Sequence, residues 1–162
     1  MSKGIIAGIL GGLAGAWTMN QFQRIVMATK PLAEQEEKRE SEDATMKVAQ
    51  AVAKPFLQRD LTKEEKQKAG PVVHYAYGAA IGGLYGGAAA EDRGTTAGFG
   101  AAYGTAAFVL GDEVALPALG LSGNPLDYPV SSHAEALASH LVYGLTLEAV
   151  RRLSVKLLNA VV

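Results

Sequence analysis

The 162-residue sequence contains no cysteine. That excludes a disulfide framework, a thiolate zinc site, a cysteine nucleophile and an iron–sulfur cluster. It also lacks a charge excess. Fifteen Lys and Arg against sixteen Asp and Glu leave −1, without the basic surplus that nucleic-acid binding uses, so no nucleic-acid partner is expected. Aromatic residues make up only 7% of the chain, with one tryptophan, so rings cannot fill much of a core. No Walker A loop, strand-linked GxGxxG, GxSxG elbow or catalytic triad pattern occurs. Nothing local argues for an enzyme, and no cofactor is required. What the chain has instead is 49% apolar residues and nineteen glycines. Its length fits a single domain over 1–162.

Charge is missing from whole stretches rather than thinned evenly. Between Lys3 and Arg24 there is none; Ala69 to Ala90 holds no charge other than one on His74, and Gly94 to Gly111 holds none. A fourth, weaker stretch begins at Ser131 and carries Glu135 and His140. A membrane helix needs about 20 mostly apolar residues. These lengths predict an all-α integral membrane bundle of about four glycine-packed transmembrane helices, at 4–27, 69–90, 94–111 and 131–150. Residues 28–68 are the opposite, with nine Lys/Arg and nine Asp/Glu. Within them Met46, Ala49, Val52, Ala53, Phe56 and Leu57 recur at helical spacing, which predicts an amphipathic helix bent or broken by Pro55, lying on a membrane surface, capping the bundle or simply connecting it. Two other readings exist. Lys3, the apolar run Ile5–Leu13 and Ala14-Gly15-Ala16 have the form of a signal peptide, although the uncharged run continues to Gln23. Alternatively the apolar helices are the core of a water-exposed bundle, which so much glycine and alanine would stabilise weakly.

The glycines are spaced. Gly4, Gly8 and Gly12 repeat every four residues, as do Gly78, Gly82 and Gly86, shadowed by Gly83 and Gly87. Gly94 with Gly98, and Gly100 with Gly104, continue the pattern, and Gly144 stands in the last stretch. A fourfold repeat stays near one helix face and makes a groove where another backbone can approach. The predicted packing positions are Gly8, Gly12, Gly78, Gly82, Gly86, Gly100, Gly104 and Gly144, within one chain, in a homo-oligomer or in a larger membrane complex.

Four spans would bring His74, Asp112, Glu113, His133 and His140 toward one end. A histidine beside a carboxylate titrates near neutral pH and makes a proton sensor or relay. The same set suits a divalent metal, although no HExxH-type spacing is present. A purely structural reading stands beside both: Ser132 with Glu135 fits a capping box, and Asp112-Glu113 before Pro117 marks a helix end. At the opposite membrane face, Glu148 with Arg151 and Arg152 reads as a helix-end pair near the headgroups, and the arginines complement the helix C-terminus.

The combination His74-Tyr75-x-x-Gly78 with Gly82, Tyr85 and Gly86, then Asp112-Glu113, Pro117 and Gly120-Leu121, then His140-Leu141-Val142-x-Gly144 with Glu148 and Arg151-Arg152, resembles the YagU-like inner-membrane proteins of bacteria. The C-terminal SHAEALASHLVYGLTLEAVRR carries most of the likeness. The resemblance implies a small multi-pass protein of the bacterial cytoplasmic membrane, in contact with the lipid bilayer, of undefined activity and linked to acid tolerance. It supplies no catalytic residue. It implies cytoplasmic termini, whereas the nine Lys/Arg of the long loop would place that loop in the cytoplasm; orientation stays open. Three functions follow in order: a structural, accessory or acid-stress protein, a proton or divalent-cation transporter, and a metal-binding enzyme subunit.

Overall fold

In the computed structural model, which describes residues 2–160, the chain is all-α, with no strand among the described residues. Three long helices dominate: α1 (Ser2–Ala28), α4 (Lys63–Glu91) and α7 (Val130–Ala160). Two shorter ones, α2 (Leu32–Glu40) and α3 (Ala44–Leu57), occupy the charged region. A 3₁₀ stretch, Arg93–Gly100, leads into α5 (Ala101–Ala107), a π-helix (Phe108–Ala115) and the short α6 (Leu116–Ala118).

The expected localisation in a membrane with several passes is corrected here. Among the described residues no helix is long and apolar enough to cross a membrane. The reason is that uncharged is not the same as apolar: Ala69 to Ala90 is mostly glycine, alanine and tyrosine. The expected helix over 94–111 is also corrected. Ala97 is extended, and Gly98, Phe99 and Gly100 are all left-handed, at φ +60°, +56° and +86°. A helix therefore begins only at Ala101.

Helix starts follow side-chain chemistry. Asp43 caps α3 by accepting from the Met46 N–H. Thr62 and Glu65 form a reciprocal capping box on α4. Hydrogen bonds from Arg59 and from the Thr62 N–H hold the Glu65 carboxyl down at about 2. Pro55 sits in the last turn of α3, where the helix runs on to Leu57 and ends at Gln58 in the left-handed region.

Antiparallel α1 lies against both α4 and α7. Its inward face is Gly4, Ala7, Gly8, Gly11, Gly12, Gly15, Ala16 and Met19. A Cβ added at Gly4, Gly8 or Gly12 would collide with the carbonyl oxygens of Gly86, Gly82 and Gly78 respectively, and one at Gly11 with that of Leu147. Gly100 and Gly104 make the same backbone approach to α7 at Gly144 and His140. The side-chain core is correspondingly small, with Met19, Tyr85, Tyr143 and Leu147 at its centre. Three tyrosines bind the helices through their hydroxyls: Tyr143 donates to the Gly78 carbonyl, Tyr103 to that of Ile81, and Tyr85 to Glu148.

Candidate functional site

The π-helix and α7 face each other at one end of the bundle. π-Helices are rare and recur at functional sites, because the wider turn re-aims side chains that an α-helix would carry elsewhere. This one carries Gly111, Asp112 and Glu113, and α7 carries His133 and His140 two turns apart. Two histidine–carboxylate pairs result. His133 Nδ1 lies 2.7 Å from Glu113 Oε1, and its Nε2 lies 3.1 Å from the Pro125 carbonyl oxygen. His140 Nε2 is 3.8 Å from Asp112 Oδ2, while its Nδ1 lies 2.9 Å from the Ala136 carbonyl one turn back. With Nδ1 bonded to that carbonyl, Nε2 is the ring nitrogen that faces Asp112. The Phe108 ring lies 5.7 Å from that of His140.

His74 approaches from α4. Its Nε2 is 3.4 Å from the Ala16 carbonyl oxygen, and its ring meets Tyr75 edge-on. It is not in hydrogen-bonding range of the acids, but it lies close enough to affect Asp112 electrostatically.

The groups are tuned in different directions. Burial raises the Asp112 carboxyl above its ordinary range; the opposing pull of His140 is smaller, Glu113 pushes it up further, and His74 pulls it down. The hydrogen bond with Glu113 raises His133. Burial lowers His74, only partly offset by its bond to the Ala16 carbonyl. Asp112 also raises the nearby Tyr77 phenol, behind the larger effect of burial.

Of the expected metal candidates, the fold thus pairs Asp112 with His140 and Glu113 with His133, and leaves His74 apart. Among the described residues no group of three or more His, Asp and Glu could together hold a metal ion. The expected Ser132–Glu135 capping box does not form. The helix begins at Val130, and Glu135 instead pairs with Lys30 at 2.8 Å, tying α7 to the end of α1.

A second polar cluster lies further along α7, and there the expected helix-end position of Glu148 is corrected, since the helix runs on to Ala160. Glu148 is 0% exposed. Its carboxylate accepts from Arg151 Nε at 2.6 Å and Nη2 at 2.9 Å, from Arg152 Nε, and from the Tyr85 hydroxyl at 2.9 Å. Burial by itself would raise this carboxyl; the hydrogen bonds outweigh it and leave Glu148 below its ordinary value. Burial and Glu148 together push the Tyr85 phenol far up. The Arg152 guanidinium sits 4.6 Å over the ring of Phe99, the non-glycine residue in the left-handed run. Sequence reasoning had the arginines in view and missed Tyr85, for which the available signal was a lone tyrosine among the glycines of a charge-free stretch.

No family model, curated protein or solved structure matches the chain.

Proposed function

We propose that the protein is a non-enzymatic structural or accessory helical bundle whose state responds to acid through the seam between the π-helix and α7. The observation that carries this reading is the facing of two carboxylates and two histidines across one helix contact, Glu113 with His133 and Asp112 with His140. Around that seam stand His74 and Tyr77 from α4, and the Pro125 and Tyr128 carbonyls beside His133. The likeness to YagU-like proteins, with its link to acid tolerance, points the same way and rests on the quoted residues alone.

The signs work as follows. His133, raised above 6.5, stabilises the fold fully below 6.5, and that contribution disappears as pH rises through its folded value. Asp112, raised above 3.8, burdens the fold while charged, and acid relieves the burden. His74, lowered below 6.5, acts oppositely: protonating it costs stability. Mild acid therefore favours the π-helix–α7 contact and penalises the buried position of His74 against α1.

The test is an NMR titration of the three histidines in the wild type and in Glu113→Gln, alongside acid survival of a deletion strain rescued by each gene. The expected result is a fall in the His133 value in the variant and loss of rescue. An unmoved His133, or full rescue by the variant, overturns the proposal. The runner-up reading, proton transfer or divalent-cation binding by Asp112 and His140, is favoured instead if added zinc shifts the His140 resonances.

A further inference from the structure

The connector between α6 and α7 is held in place by very little. None of residues 119–130 is buried, and Leu126 is 90% exposed, so apolar packing does not anchor it. Its hydrogen bonds over 123–128 are mostly to itself. The Gly123 N–H donates to the Tyr128 hydroxyl, the Leu126 N–H to the Asn124 side chain, the Asp127 N–H to the Asn124 carbonyl and the Tyr128 N–H to that of Pro125. Among the described residues, what ties this small folded unit to the bundle is His133, through the Pro125 carbonyl at 3.1 Å and the Tyr128 carbonyl beside it. At one end of the unit Gly120 is left-handed, at φ +69°, with open space around it. At the other the Pro129 carbonyl accepts from the Ser132 N–H.

His133 is itself over-committed. A neutral imidazole carries one N–H. Here both ring nitrogens face acceptors, Nδ1 the Glu113 carboxylate at 2.7 Å and Nε2 the Pro125 carbonyl. Both bonds are made together only by the imidazolium, or by the same proton moved onto Glu113. The ring is the stronger base and both side chains keep some exposure, so the proton belongs on the ring. Once it leaves, the remaining hydrogen stays on Nδ1, where the acceptor is charged. Nε2 then turns a lone pair on the Pro125 oxygen, and two acceptors in contact repel.

We propose that residues 120–129 form a strap, clasped to α7 by the His133 imidazolium and released when that ring loses its second N–H proton. The inference rests on the acid-responsive reading of the seam and names the part that moves. The other ionisable groups around His133 are already engaged: Asp112 faces His140, Glu135 is held by Lys30, and the Tyr128 hydroxyl accepts from Gly123. Asp127 is exposed on the strap itself. Because Glu113 and the carbonyls raise His133 above 6.5, the strap is closed below 6.5 and opens as pH rises through the higher folded value.

The absence of cysteine allows one spin label to be placed on the strap, at Leu126→Cys, and another at Leu157→Cys, 59% exposed on α7, as a control for general loosening. Electron paramagnetic resonance spectra of the Leu126 label are expected to lose their restricted component with rising pH, in one transition that coincides with the NMR titration of His133. The Leu157 label should not change. In Glu113→Gln the transition should move to lower pH by as much as His133 does. In His133→Gln, whose amide cannot donate to both acceptors, the label should be mobile throughout, with helical circular dichroism retained. An unchanged Leu126 spectrum while His133 titrates with its raised value overturns the strap and leaves the acid-responsive seam standing. A His133 value that Glu113→Gln does not move overturns both. A matching change at Leu157 means that the whole bundle loosens, and it also overturns the strap.

Discussion

Helix α7 carries two polar clusters, and they solve the problem of a charge in a helix bundle in opposite ways. At Glu148 the acid is fully enclosed and its charge is fixed, since two arginines and a tyrosine hydroxyl supply its hydrogen bonds. At His133 and His140 the partners of the acids are themselves titratable, and Asp112 keeps 40% of its side chain exposed. Each cluster faces an irregular backbone: the left-handed run Gly98-Phe99-Gly100 in the first case, the π-helix in the second. The first arrangement holds its charge through the neutral range, and the second changes its charge within reach of physiological pH. One locks and the other adjusts.

Breaking the lock should give the largest effect. Glu148→Ala leaves two arginines and the Tyr85 hydroxyl without their shared partner, and loss of one member of a buried ion pair costs about 3–5 kcal/mol. Denaturant unfolding measures it; a loss under about 1 kcal/mol would mean that the carboxylate is replaced by water. Next is the acid limb of the stability curve. Because the folded Glu148 value is below 4.5, its contribution is present above 4.5 and lost as pH falls through the lowered folded value. Glu148→Gln should flatten that limb.

The adjustable cluster is expected to respond in the other direction. Asp112→Asn should stabilise the protein at pH 7, where the charged wild-type group is disfavoured by burial, and the gain should shrink to nothing as pH falls below 3.8. A destabilised Asp112→Asn would mean that the charge on Asp112 is needed to hold His140. The smallest effect belongs to Lys30→Ala. It removes the partly exposed pair with Glu135, and such pairs are worth at most about 1 kcal/mol. Thermal melts of that variant and of Glu148→Ala, run together, set the scale of the contrast.

How much of this was legible beforehand depended on whether the cause was local. The rows at Gly4, Gly8, Gly12 and at Gly78, Gly82, Gly86 announce a helix–helix groove, because a fourfold spacing means one face whatever surrounds it. The sharing of one end by His74, His133, His140, Asp112 and Glu113 followed from the order of the helices. The stretch 94–111 did not read correctly. Its glycines resemble a third row, yet Gly100 is held left-handed where it presses on the Gly144 carbonyl, and Phe99 where its ring meets Arg152. Both causes lie more than forty residues away in sequence. The π-helix was equally hidden, since Phe108–Ala115 has an ordinary helix composition. Glu148 was placed at a helix end because a carboxylate three and four residues from two arginines gives no local sign that the helix continues to Ala160 and buries it.

The backbone contact between α1 and α4 has one more consequence, for the order of events in folding. Each glycine in a helix interior costs about 1 kcal/mol relative to alanine, and α1 contains Gly4, Gly8, Gly11, Gly12 and Gly15 within its first half. Alone, that half is a poor helix; against the carbonyls of α4 it has no rotamers to freeze and a ready-made surface to meet. Helix formation and docking should therefore be one event. The amides of residues 4–16 and 78–90 should exchange with solvent at a single common rate, opening together or not at all.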